Sequence, residues 1–226
     1  MQPDFSRPVL AIDTSTSVLS LALFAHGSLF AFHEEAGSRQ SALVLPQIGR
    51  LFGEAGVSAA DLSCIVYAQG PGAFTGLRIG LGVAQGLAAP FGLPLVGVSC
   101  LDAAAYLVRG RGVLAAADAR MGEVFYAWFD TENRRRLSPY QVGRAADIVP
   151  PEGVSFTHGI GNAFALADPP PFAGSPAMPT AADYLRLAQT GAYAAGDAAD
   201  ASLLYVRDKI ALTAAEQAAR KAAGGA

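Results

Sequence analysis

The chain has 226 residues, enough for one large domain or two modest ones, with 52% hydrophobic and 15% charged side chains. That composition buries a sizeable core and excludes a disordered protein. A net charge of −3 excludes a global basic field, so another chain is expected to be the main binder of any nucleic acid. The one basic run, Arg134-Arg135-Arg136, sits beside Glu132 and Asn133 and reads as a solvated turn. Met1 to Pro8 lacks the charged-then-apolar layout of a signal peptide, and no apolar run is long and glycine-free enough for a membrane span. A cytoplasmic protein without membrane contact is therefore expected. Cys64 and Cys100 each adjoin an expected buried strand; reduced structural thiols are the favoured reading, and a disulfide stays open.

In chain order, Val9 to Asp13 is a short apolar run ending in an acid, followed by the polar turn Thr14-Ser15-Thr16-Ser17. Val18 to Phe24 and Ser28 to Glu34 predict two more strands joined by a His26-Gly27 hairpin turn. Helical spacing then places Leu45, Ile48 and Phe52 on one face of a helix over 43–52, with Ser41 as N-cap and Pro46 kinking it or delaying its start. Strand Cys64 to Ala68, a glycine-rich helix, strand Leu95 to Val98 and helix Leu101 to Val108 complete a βββαβαβα unit. Ser99 and Asp102 have capping-box spacing at that last helix. Three hairpin-linked strands followed by βα alternation predict an α/β fold of the ribonuclease-H-like type that actin, Hsp70 and sugar kinases use twice.

The remainder begins as a second copy. Val113 to Ala117 and Glu123 to Asp130 are strands joined by Asp118-Ala119-Arg120-Met121-Gly122, with a third expected over Leu137 to Val142. Repeated prolines then break the pattern. One clear helix runs from Thr180, with capping partner Asp183, to about Ala192; Ser202 to Val206 predicts a last strand, and Thr213 to Ala226 a frayed helical tail. Two lobes are expected: residues 1–108, and a smaller, degenerate lobe over 109–226.

Chemistry is sparse. In the strand–turn–helix over 65–87, Gly70-Pro71-Gly72 reads either as an anion-binding helix N-terminus or as a tight βα connection. Gly72, Gly76 and Gly80 recur every four residues, and Gly82 and Gly86 repeat the spacing. Each interior glycine costs about 1 kcal/mol relative to Ala, so the stripe calls for close packing on a sheet or on another helix, in this chain or a different one. Asp13-Thr14-Ser15-Thr16 offers an acid and hydroxyls but no glycine, so a capped turn is favoured there over a nucleotide phosphate site. His26, His33 and His158 make no metal-ligand pair, and no metal is expected. No Gly-x-Ser-x-Gly or paired nucleophile and base is present. Asp118, Arg120 and Glu123 cluster at a strand turn, where hairpin-shaping ion pairs compete with a polar lobe-junction site that would include Asp13 and Arg207.

Leu10-Ala11-Ile12-Asp13-Thr14-Ser15, the run from Gly70 to Gly80, Asp118-Ala119-Arg120-Met121-Gly122-Glu123-Val124 and Tyr205-Val206-Arg207 together resemble the TsaB (YeaZ-like) family, in the same order and across nearly the whole chain. The resemblance implies a non-catalytic accessory subunit in making tRNA threonylcarbamoyladenosine, with no cofactor on this chain alone, ATP used by the complex, and tRNA met through it. It implies pairing with a catalytic TsaD-type subunit and a TsaE-type ATPase. TsaD carries His-x-x-x-His on its first helix; here Ser38 to Leu45 holds no histidine. The implied partner interface is Leu45, Ile48, Phe52, Gly72, Phe74, Thr75, Gly76, Arg78, Gly80 and Val83, whose apolar face would also support a homodimer in the partner's absence. The competing expectation is a free-standing actin-fold ATPase or small-molecule kinase.

Overall fold

Strands β1 (Val9–Asp13), β2 (Val18–Ala25) and β3 (Ser28–Glu35) form an antiparallel meander in the computed structural model, which describes residues 3–207. His26 and Gly27 both take positive φ, giving the two-residue hairpin turn whose twist suits the flanking strands. Helix α1 (Gln40–Ala55) follows, then β4 (Cys64–Gly70), α2 (Phe74–Ala88), β5 (Leu95–Ser99) and the short α3 (Cys100–Ala105). Both β4 and β5 run parallel to β1 in one sheet. Side chains alternate across it: Leu10, Ile12, Ile65, Tyr67 and Leu95 share a core with α1 and α2, while Val9, Ala11, Val66, Val96 and Val98 face the other side. Burial on both faces is why these strands read as continuous apolar runs.

The second sheet repeats the first. Strands β6 (Val113–Arg120) and β7 (Glu123–Asp130) pair antiparallel; β8 (Arg135–Arg136) and β9 (Gln141–Arg144) both pair with β7. β10 (His158–Ile160) and β11 (Gly174–Ser175) then add in parallel beside β6. The order β3-β2-β1-β4-β5 thus recurs as β9-β7-β6-β10-β11, with matching strand directions. Where the first lobe has α1 and α2, the second has two single 3₁₀ turns, Ala145–Asp147 and Asn162–Ala165. Trp128, packed edge-on against Phe156 and Phe172, covers the face that helices would otherwise cover.

Several expectations need correction. The boundary at residue 108 marks the change of sheet but not the end of the first lobe. Helix α4 (Ala181–Gln189) packs Ala181, Tyr184, Leu185 and Ala188 against β1, β2, β4 and β5, and β12 (Ala195–Gly196) pairs with β5. The Ala181 N–H donates to Ser20 Oγ at 2.8 Å, fixing α4 on the first sheet. Conversely α3 turns Leu101, Ala104 and Ala105 into the second lobe's core. Of the strand expected over 137–142, only Gln141 and Val142 form one, as the start of β9; residues 137–140, with Pro139, leave the ladder, since proline cannot donate to it. Residues 202–206 form no strand; they cross the molecule as an irregular strap. Helix α1 runs through Pro46 and starts at Gln40, one residue before the expected cap. The helical tail expected at 213–226 lies outside the described residues. Among the described residues no helix is long and apolar enough to cross a membrane.

The glycine stripe packs within its own lobe. A Cβ on Gly76 would collide with the Thr14 carbonyl, one on Gly80 with the Thr14 hydroxyl, and one on Gly72 with the Ser15 carbonyl. The Thr14 hydroxyl donates to the Gly76 carbonyl at 2.7 Å, and the Ala73 N–H donates to the Ser15 carbonyl at 2.7 Å. Gly82 and Gly86 face open space and share none of this packing. Two substitutions separate these groups. Gly76→Ala should cost about 1–3 kcal/mol by overpacking, whereas Gly82→Ala should add about 0.5–1 kcal/mol through helix propensity. Urea denaturation of the two variants beside the parent chain reads both signs.

Candidate functional site

The two lobes face each other across a cleft of about 590 Å³. Equivalent hairpins of the repeat supply its two sides: the β1–β2 turn with Ser15, Thr16 and Ser17, and the β6–β7 hairpin with Asp118, Ala119 and Arg120. The latter closes on Met121-Gly122, both at positive φ. The start of α2 and the strap residues Leu203 to Arg207 complete the walls. Arg120 lies 3.2 Å from the Asp118 carboxylate, whose other oxygen accepts the Arg120 N–H at 2.7 Å. Arg207 reaches from the strap to the Glu123 carboxylate and to the Ala119 carbonyl at 3.4 Å. Asp118, Arg120, Glu123 and Arg207 lie together at the hairpin, and their bonds run within it and between hairpin and strap.

Asp13 does not join them. It lies buried beneath the cleft, accepting the Ser15 N–H at 2.8 Å. Burial pushes its carboxyl up to about 6, against opposing hydrogen bonds from Ser15 and the attraction of His33. Burial, and behind it the nearby Asp13 charge, drives the Cys100 thiol up to about 12 and raises the Tyr184 hydroxyl well above its ordinary value. Cys64 is likewise buried, raised to about 11, and both cysteines are free, so neither is a ready nucleophile. Among the described residues, no three His, Cys, Asp or Glu side chains group closely enough to hold a metal ion.

Helices α1 and α2 lie side by side on one face of the first sheet. Of the residues expected on a partner surface, Leu45 (54% exposed), Phe74 (50% exposed), Thr75 and Arg78 reach solvent, while Phe52 and Val83 are half-buried against the core. Ile48, Gly76 and Gly80 are buried in their own lobe and are corrected to interior positions, while Gly72, half-buried, abuts Ser15 at the cleft wall. Arg78 stacks on Phe74, its guanidinium 3.3 Å from the ring centroid, and donates to the Tyr205 hydroxyl at 2.7 Å.

A family model described as TsaD: tRNA N6-adenosine threonylcarbamoyltransferase matches residues 33–161. The chain is 42% identical over 128 residues to the tRNA threonylcarbamoyladenosine biosynthesis protein TsaB of Escherichia coli, a match covering 55% of each chain. The Haemophilus influenzae protein of the same name is 37% identical over 123 residues, 53% of this chain and 52% of that one. The matched stretch thus spans about half the length of these relatives. A solved structure, YeaZ from Pseudomonas aeruginosa, superposes with a TM-score of 0.77 at 30% identity, covering 88% of this chain and 99% of that one. The chain belongs to the TsaB (YeaZ-like) family.

For a member of this family, the residues that organise the lobe junction were only partly visible in the sequence. Asp102 has capping-box spacing with Ser99, and its N–H does meet the Ser99 hydroxyl at 3.4 Å. Its carboxylate turns elsewhere, accepting from Tyr140 at 2.6 Å and Tyr193 at 2.9 Å, so one half-buried acid on α3 joins segments of both lobes. Burial raises its pKa against those two hydrogen bonds. Its i, i+3 spacing suggested a local role; the tyrosines lie 38 and 91 residues away.

Asp13 supplies a pH test. Below the ordinary value of 3.8 the group is protonated whether folded or not; between 3.8 and about 6 only the unfolded chain releases the proton. Its contribution to stability should therefore fall as pH rises through that window, by on the order of 3 kcal/mol, and stay low above it. Asp13→Asn, which retains an acceptor for Ser15, should raise the melting temperature at pH 7.5 and flatten its decline between pH 4 and 6. Calorimetric scans across that range check it.

Proposed function

We propose that this chain is the non-catalytic scaffold subunit of the machinery that forms tRNA threonylcarbamoyladenosine. The observation that carries the reading is the match to TsaB and YeaZ, which extends over 99% of the solved Pseudomonas aeruginosa chain. In this reading the solvent face of α1 and α2 pairs with a TsaD-type catalytic subunit, a TsaE-type ATPase joins the pair, and ATP and tRNA are handled by the complex. Phe74, stacked under the Arg78 guanidinium, and Leu45 on the neighbouring helix are large exposed apolar anchors that suit such a contact. The stretch from Ser38 to Leu45 lacks histidine, which supports assigning the chemistry to the partner. Without that partner, the same face would support a homodimer.

A second reading, a free-standing actin-fold ATPase or kinase, is favoured by one feature: a cleft of about 590 Å³ at the start of α2. Against it, the acid at the first hairpin, Asp13, is buried away from that cleft. Millimolar ATP should leave the melting temperature of the isolated chain unchanged, and a saturable rise would favour the enzyme reading.

Light scattering on a size column, with the chain alone and then mixed with the TsaD-type subunit from the same source, tests the pairing. A one-to-one heterodimer that displaces any homodimer is expected. Leu45→Glu should weaken pairing by about 30-fold or more, as for a central interface anchor, with little change in the melting temperature because the side chain is exposed. No association, with or without nucleotide and the ATPase, would sink the scaffold reading; association indifferent to Leu45→Glu would move the contact off α1.

A further inference from the structure

The motif Tyr205-Val206-Arg207 is unused by pairing through α1, and the structure gives it a position of its own. After β12 the chain crosses from the first lobe to the second as a strap without regular structure, with Ala198, Ala201 and Leu203 packed on the first lobe's core and hydrogen bonds holding it at named points. Gln85 Nε2 donates to the Ala198 carbonyl at 2.8 Å. The Tyr67 hydroxyl and Gln69 Nε2 both donate to the Ser202 carbonyl, at 3.0 and 3.2 Å. The Leu204 N–H donates to the Gln69 carbonyl at 2.9 Å, and Arg78 donates to the Tyr205 hydroxyl at 2.7 Å. All of these fasten the strap to the first lobe. Two residues on from Tyr205, Arg207 fastens it to the second, through Glu123 and the Ala119 carbonyl.

The chain also crosses between the lobes at residues 176–180, from β11 to α4, and at α3, whose Cys100 and Ala103 pack in one core and whose Leu101, Ala104 and Ala105 pack in another. Helix α3 does not line the cleft, whereas the strap lines it from Leu203 to Arg207. A packed element shared by two bodies, with a small set of polar bonds across the opening between them, is the arrangement of a hinge with a fastening. The core contacts at α3 are apolar and close-packed. The fastening rests on one long hydrogen bond to the Ala119 carbonyl and one ion pair between a quarter-exposed arginine and a more exposed glutamate, a type of bond that contributes little when solvated and is readily exchanged.

We propose that residues 202–207 are a clasp that sets the opening of the inter-lobe cleft, with α3 as its hinge. Tyr205 holds the clasp on α2 through Arg78, and Arg207 closes it on the β6–β7 hairpin through Glu123. Breaking either attachment frees the hairpin to move away from the β1–β2 turn while both cores stay intact.

Spin labels on exposed positions of the two lobes, introduced as Ser41→Cys and Glu152→Cys, read the opening by pulsed electron resonance; Cys64 and Cys100 are buried. The full chain should give one narrow distance distribution. Glu123→Gln, and separately the pair Tyr205→Ala with Arg207→Gln, should each add a longer component. Hydrogen exchange of the Leu204 amide should quicken by about tenfold or more in Tyr205→Ala, as expected for local opening, and remain slow in Glu123→Gln, where the strap keeps its hold on the first lobe. Distance distributions indistinguishable from the parent in both variants would overturn the proposal, as would a parent distribution already as broad as theirs. Should the double variant fail to fold, Glu123→Gln alters only a partly exposed carboxylate and decides alone.

Discussion

The close approach of α2 to the β1–β2 turn is the contact around which the first lobe is arranged. Backbone meets backbone there: the Ser15 carbonyl takes the Ala73 N–H, and the Thr14 hydroxyl returns a bond to the Gly76 carbonyl. No side chain can come between them, so glycine is required at two successive turns of the helix. The cost in helix propensity is offset by burial of the turn, and the turn is then rigid enough to hold Gln40, which donates from α1 to the Thr16 carbonyl at 2.7 Å. One polar loop between two strands thereby fixes the positions of both helices that present the outer apolar face.

From that contact the rest follows by layers. With α1 and α2 on one face of the sheet, the other face needs a cover, and α4 supplies it from far along the chain. With no helices of comparable length among the described residues on its outer face, the second lobe relies on Trp128 and its neighbouring phenylalanines. The cleft is what remains between two matching hairpins after each lobe has satisfied its core, which explains why its walls are turns and why their charged side chains bond mainly to one another.

Much of this was legible in the residues. The His26-Gly27 turn, the apolar runs of β1 and β2, the strand before Gly70, and the Thr180–Asp183 capping pair are local signals whose physics acts over a few residues, and each formed as read. The glycine spacing announced close packing but could not say against what; Thr14 lies 62 residues from Gly76. Helical periodicity put Leu45 and Ile48 on one stripe, yet only three residues of rotation separate a core position from an exposed one, and the sheet beneath decides which is which. Strands β10 and β11 have three and two residues, too few for any period to show. The return of α4 to the first lobe left no trace in composition, since an amphipathic helix carries no label for the sheet it covers.

That return has a consequence for how the protein is made. The helix ending each repeat is received by the sheet of the other: α3 leaves the first sheet for the second core, and α4 leaves the second sheet for the first. A nascent chain that has delivered β1 through α3 to the ribosome exit has five of the first sheet's six strands with one face bare, and the cover, Ala181 to Ala188, arrives only after the whole second sheet has been synthesised. The first half therefore cannot finish folding as an independent body during synthesis, unlike domains that close in order of emergence. The two halves must mature together, late and through contacts of long sequence separation, which makes the newly synthesised amino-terminal half a natural client for chaperones until the last helix docks.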